Sequence, residues 1–210
     1  MTTEIAPWPT RLPLVAILRG IEPAEVLAHM RELVAAGFDA IEIPLNSPGW
    51  ERSLPDGVRE FGAQTLVGAG TVLTPEKVDR VADLGGRLIV TPHTDTAVIQ
   101  RSRERGLYTS IGFATPTEAF AALQAGAQSL KLFPSTAFGP AYVKAIRAVL
   151  PRGLPLLAVG GVTPENLGAF LEAGCQGAGL GSDLYKPGQA PELTRQRAEA
   201  FVQAYRQHHA

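Results

Sequence analysis

A chain of 210 residues with 45% hydrophobic and 19% charged side chains carries enough apolar material for a sizeable core, which excludes a disordered or fibrous chain. Its 19 basic and 20 acidic residues leave a formal net charge of -1, so no general electrostatic drive toward nucleic acid or an anionic membrane exists. The single cysteine, Cys175, excludes an internal disulfide and any cysteine-based metal cluster, and no apolar run approaches the ~18 residues of a membrane span.

The opening residues contain no apolar stretch of secretory-leader length, so a cytoplasmic protein is expected. Residues 1–12 precede the first apolar run and are expected to cover the bottom of the fold. Strand-like apolar runs follow at 14–19, 40–45, 66–72, 88–92, 108–113, 129–134, 156–162 and 177–182. Between them apolar residues recur at helical spacing, as in Val26, Leu27, Leu33 and Val34, or Tyr142, Ile146, Val149 and Leu150. Thr74-Pro75, Thr115-Pro116 and Thr163-Pro164 each place a hydroxyl cap before a proline at the first helical position. Ala36-Gly37, Ala125-Gly126 and Ala173-Gly174 close helices at glycine. Residues 191–209 read as the last helix.

Strand–helix units repeating every roughly 20–26 residues are the rhythm of parallel βαβ structure. Eight of them predict an α/β chain forming one (β/α)8 TIM barrel over residues 1–210, near the small end of that fold's range. No linker or composition break supports a second domain, and the glycine-rich dinucleotide turn of an open doubly wound sheet is missing.

Barrel chemistry sits at the C-terminal ends of the strands. Two charged residues fall inside otherwise apolar strands: Lys131 in Ser129-Leu130-Lys131-Leu132, and Glu42 in Ala40-Ile41-Glu42-Ile43. Strand alternation puts Lys131 on the face of Ser129 and Phe133, and Glu42 on the face of Ala40 and Pro44, so both can point into the barrel. Burial beside a cation lowers a lysine pKa and makes the amine a Schiff-base nucleophile, with the glutamate as acid/base; the competing reading is a structural ion pair. Gly160-Gly161 and Gly181-Ser182 end the seventh and eighth strands, where such barrels bind phosphate, although they could simply make tight turns. Arg19, at the end of the first strand, suits a carboxylate or a rim salt bridge. Thr71 could donate to the same carboxylate, with Gly70 admitting close approach. His93 reads as a satisfied rim residue, and Asp39, Asp95 and Asp183 have no distinctive context. No cluster has metal-ligand spacing, so no metal is expected.

At these residues the chain resembles the 2-dehydro-3-deoxy-6-phosphogalactonate aldolases, within the wider family of 2-keto-3-deoxy-6-phosphogluconate aldolase. The stretches that carry the resemblance are LPLVAILRGI, AGFDAIEIPLNSP, LVGAGTVLTPEKV, LIVTPH, LKLFPSTAFGP, AVGGVTPENL and GAGLGSDLYKPGQ. It implies a homotrimeric class I aldolase without metal or cofactor, acting on a small sugar-acid phosphate and releasing pyruvate. It makes Lys131 the Schiff-base lysine and Glu42 the acid/base. Arg19, Gly70, Thr71 and Pro92 would line the pyruvate end, and Gly160, Gly161, Gly181 and Ser182 would take the phosphate. The gluconate-type enzymes carry an arginine where this chain has Asn46 and a threonine where it has Val159; both departures resemble the galactonate type. The alternatives are the same cleavage of the C4 epimer, a sugar-phosphate isomerase or epimerase, and a non-catalytic sugar-phosphate binder.

Overall fold

The protein is described by a computed structural model covering residues 6–209. Among these residues, eight strands alternate with eight helices. The strands are β1 (Leu14–Ile17), β2 (Ala40–Pro44), β3 (Leu66–Gly70), β4 (Leu88–Val90), β5 (Tyr108–Phe113), β6 (Ser129–Leu132), β7 (Leu156–Val159) and β8 (Gly177–Leu180). They pair in parallel in chain order and close between β8 and β1, so the structure is the expected (β/α)8 barrel. Every strand begins at its predicted residue. All but β5 stop short of their predicted ends because the chain leaves the ladder there. Gly20, Thr71, Gly160 and Gly161 adopt left-handed backbone, and Pro92 has no N–H to pair.

The helices are α1 (Val26–Ala36), α2 (Trp50–Phe61), α3 (Pro75–Asp83), α4 (Thr96–Glu104), α5 (Pro116–Gln124), α6 (Ser135–Arg147), α7 (Pro164–Glu172) and α8 (Pro191–His209). Their termini follow local chemistry. The Thr74 hydroxyl caps α3, and Thr115 with Glu118 forms a reciprocal capping box on α5. Gly37, Gly126 and Gly174 follow their helices at φ of 105°, 99° and 114°, where a side chain would be strained. Asp95, unremarkable in sequence, caps α4 by accepting from the Val98 N–H at 3.0 Å.

Period-2 alternation splits the core in two. Outward residues such as Leu14, Ile41, Ile43, Leu130 and Leu132 pack under the helices, fully buried. Inward residues form a second cluster of Val15, Ile17, Ala40, Leu88, Val90, Tyr108, Leu157 and Val159. Its lower end is closed by Trp8, edge-on to the Tyr108 ring with centroids 5.4 Å apart. The Asp39 carboxylate anchors that covering segment through the N–H groups of Arg11 (3.0 Å) and Leu12 (3.3 Å). Trp8, Arg11 and Leu12 are thus held against the lower end of the barrel, and residues 1–5 lie outside the described residues.

Candidate active site

The barrel register brings Lys131 and Glu42 to the interior. Lys131 sits opposite Gly112 on β5 and Leu157 on β7, and Glu42 sits between Ile17 on β1 and Gly68 on β3. Both are almost fully buried, at 6% and 2% exposure. Burial pushes the Lys131 amine down to about 8; the Glu42 charge opposes that shift and the Arg19 charge adds to it. Burial also raises the Glu42 carboxyl to about 7, against the pull of Lys131 and Arg19. A proton-sharing acid beside a partly neutral amine is what imine chemistry at neutral pH requires. Glu42 Oε2 is buried without a hydrogen-bond partner in the protein, an arrangement a purely structural ion pair would avoid.

Above Lys131 opens a cavity of about 370 Å³ at the C-terminal rim. Arg19, Thr71, Pro92, Lys131, Val159, Gly160, Gly161, Gly181 and Ser182 all line it, so strands far apart in sequence converge on one chamber. Ile17, Phe133, Val162 and Asp183 line it as well. Phe133 carries its ring under the amine, with Lys131 Nζ 5.2 Å from the centroid. The cations that line the cavity are Arg19, beyond the end of β1, and Lys131, on β6.

Arg19 is held in place before any ligand arrives. Its guanidinium donates to Asn46 Oδ1 at 2.8 Å and to Thr71 Oγ1 at 3.4 Å from each of its terminal nitrogens. Thr71 has φ of 57°, the sole non-glycine residue with positive φ among those described. A β-branched residue in that region costs about 1–3 kcal/mol, and such strain gathers at functional sites. Pro92 is set by its neighbours: Thr91 Oγ1 donates to the His93 carbonyl at 2.6 Å and accepts the Gly112 N–H at 3.2 Å. A side chain at Gly112 would collide with the Pro92 carbonyl.

Gly160 and Gly161 follow β7 with φ of 98° and 73°. The Gly160 carbonyl accepts from Ser135 Oγ (3.2 Å) and Thr136 Oγ1 (3.1 Å), and the Gly161 carbonyl accepts from Asn166 Nδ2 (3.0 Å). Their carbonyls are therefore tied to α6 and α7, and their main chain faces the cavity bare of side chains. Leu184 and Tyr185 both donate to the Gly181 carbonyl at 2.9 Å, which fixes the turn after β8.

Two residues lie elsewhere than expected. Gly70 does not line the cavity; it faces the Glu42 carboxylate, and a Cβ there would overlap that carboxylate. Its role is to make room for the acid. Glu42 too is absent from the cavity lining, since it sits beneath Lys131. Asn46 reaches the site only through Arg19. Asp183 has no sequence signal beyond adjacency to Ser182, to which it is bonded at 3.3 Å. His93 stays on the exposed rim outside the cavity.

A parallel barrel with a buried amine of lowered pKa, an acid beside it and a bare-backbone turn on the same cavity is the arrangement of a class I aldolase. Residues 8–197 match the family described as KDPG and KHG aldolase, and the chain belongs to that family. It is 60% identical over 95% of its length to 2-dehydro-3-deoxy-6-phosphogalactonate aldolase of Escherichia coli (strain K12), covering 98% of that protein. It is 49% identical to a probable 2-dehydro-3-deoxy-6-phosphogalactonate aldolase of Rhizobium meliloti (strain 1021), over 94% of this chain and 93% of the other. A solved structure described as native KDPGal superposes with a TM-score of 0.96 at 59% identity, covering 97% of this chain and 98% of that one.

Proposed function

We propose that this aldolase cleaves 2-dehydro-3-deoxy-6-phosphogalactonate to pyruvate and glyceraldehyde 3-phosphate through an imine on Lys131. The observation that carries the reading is the buried Lys131 amine, held near 8 and opening onto the cavity while Glu42 lies beneath it. The substrate follows from the relatives at 60% and 49% identity, both named for it. Asn46 supports the same choice: it occupies the guanidinium of Arg19, so a cation projects from β1 rather than from the end of β2.

Neutral Lys131 attacks the C2 ketone, and the carbinolamine loses water to give an iminium ion. Glu42 moves the protons of these steps through water and takes up the proton of the C4 hydroxyl as the bond between C3 and C4 breaks. The aldehyde leaves, the enamine is protonated at C3, and hydrolysis frees pyruvate and Lys131. Arg19 and Thr71 hold the carboxylate, with Pro92 as the wall beside it. Gly160, Gly161, Gly181 and Ser182 take the phosphate on backbone and hydroxyl groups, and that remote binding energy orients the reacting carbon. Val159 presents no hydrogen-bonding group to the substrate hydroxyls and so shapes the choice of epimer. The same reading makes the enzyme a cytoplasmic homotrimer, on the resemblance carried by its motifs.

Mass spectrometry after incubation with pyruvate and sodium borohydride tests the lysine. A pyruvate-sized adduct mapped to Lys131, and missing in Lys131→Ala, is the expected result; no adduct on folded protein would move a sugar-phosphate isomerase to first place. Comparing kcat/KM for the two C4 epimers tests the substrate, and a preference for the gluconate form would overturn that part.

A further inference from the structure

Beneath Lys131, separate from the substrate cavity, lies a second and much smaller space of about 10 Å³. Its walls are apolar, from Val15, Ile17, Val90, Leu157, Val159 and Gly179, except for three side chains: Glu42, Lys131 and Ser110. Ser110 lies on β5, inward like Tyr108, and is 1% exposed. Neither its hydroxyl nor Glu42 Oε2 has a hydrogen-bond partner in the protein. Buried hydroxyls and carboxylates in an apolar setting are rarely left so, because each unmade bond leaves the group's lost hydration uncompensated.

The space is about the size of one water, which needs roughly two to four polar partners. The chamber supplies three. Ile17, Lys131 and Val159 line both spaces, so they form the partition between the chamber and the substrate cavity. Glu42 borders only the lower one. Lys131 thus borders both spaces, and the chamber offers a polar link between Glu42 and the amine.

We infer that Ser110, Glu42 and Lys131 together bind one water in this chamber, and that Ser110 is the positioning residue that keeps it in line between the carboxylate and the amine. The inference rests on the Schiff-base reading of Lys131. Attack of the neutral amine on the ketone leaves a positive nitrogen and a negative oxygen on the same carbon. The water accepts the surplus nitrogen proton as it passes one of its own to the Glu42 carboxylate. Glu42 returns that proton along the water to the C2 oxygen, giving the neutral carbinolamine. A second proton, taken up by Glu42 from solvent, follows the same water to that oxygen, which leaves as water while the nitrogen keeps its remaining proton as the iminium. No proton is gained or lost by the chain over the cycle, because imine hydrolysis reverses each transfer.

The test is Ser110→Ala. Removing the hydroxyl should lower kcat by roughly one to two decades, part of what general acid–base catalysis supplies, with KM little changed. It should also move the limb of the kcat profile set by Glu42 upward in pH, since an ionised carboxylate loses a water-mediated bond. The charged groups that face Glu42 are Lys131 and Arg19, both retained in the variant. A Ser110→Ala enzyme with wild-type kcat and pH profile, while still trapping pyruvate on Lys131, would sink the inference alone; loss of trapping in the wild type would instead remove the reading beneath it. High-resolution electron density decides independently of folding. A water within hydrogen-bond distance of Ser110 Oγ and Glu42 supports the assignment, and a dry chamber overturns it.

Discussion

Replacing Lys131 by methionine should abolish activity and stabilise the fold, because the amine is held where its charged form is unwelcome. Its displacement from an ordinary 10.5 to about 8 corresponds to about 3 kcal/mol at 1.36 kcal/mol per pH unit. The sign follows from linkage. The native state prefers the neutral amine, so the cost is fully present below about 8 and fades as pH rises toward 10.5, where the unfolded lysine also loses its proton. Glu42, raised to about 7, is protonated near pH 6 in wild type and variant alike, so no new buried charge is stranded there. Methionine fills nearly the same volume without a charge, which keeps the repacking term small. A gain of about 3 kcal/mol in a chain of this size raises the melting temperature by about 6–12 °C. Calorimetry of Lys131→Met and wild type at about pH 6, 8 and 10 measures it, with the gap expected to narrow as pH rises. A variant no more stable than wild type at the lowest pH, or a gap independent of pH, would refute the electrostatic reasoning.

Gly70→Ala places a methyl on the Glu42 carboxylate, and kcat should fall by about 100-fold or more as the acid is displaced; a near-wild-type rate would show that Glu42 tolerates another position. Thr71→Gly removes backbone strain and hydroxyl together, whereas Thr71→Val keeps the strain, so both should raise KM for pyruvate but Thr71→Val should melt lower. Equal melting temperatures would deny the strain. His29 is buried between α1 and α8, its Nδ1 2.7 Å from Thr194 Oγ1, and burial lowers its pKa against the pull of Glu25, Glu192 and Glu32. The unfolded chain therefore binds this proton first, and stability is lost as pH falls through about 6.5. His29→Gln should flatten that loss in melts between about pH 7.5 and 5.5, read as a difference from wild type so that the opposite trend of Glu42 cancels; unchanged pH dependence would count against it.

Local rules carried much of this protein into the open. Period-2 alternation about Lys131 and Glu42 requires both to face inward once their runs are strands, and Thr-Pro starts with glycine stops set the helix termini by chemistry within a few residues. The count of strand–helix units then leaves a closed barrel as the arrangement that buries every outward strand face. Contacts across the chain were decided only in three dimensions. Arg19 meets Asn46 and Thr71 over separations of 27 and 52 residues, and neither separation follows any period. Gly70 looks in sequence like a flexible turn beside the substrate, and only the stagger between β2 and β3 reveals that its missing side chain accommodates Glu42. Asp183 enters the cavity through the turn beyond the end of β8, where alternation no longer dictates direction, whereas Phe133 takes the face that alternation about Lys131 gives it. The division between an upper cavity and a lower chamber, with Lys131 in the partition, depends on how eight strands pack their inward side chains around one axis. A linear pattern specifies which face a residue takes; the depth at which that face meets its neighbours is set by barrel closure.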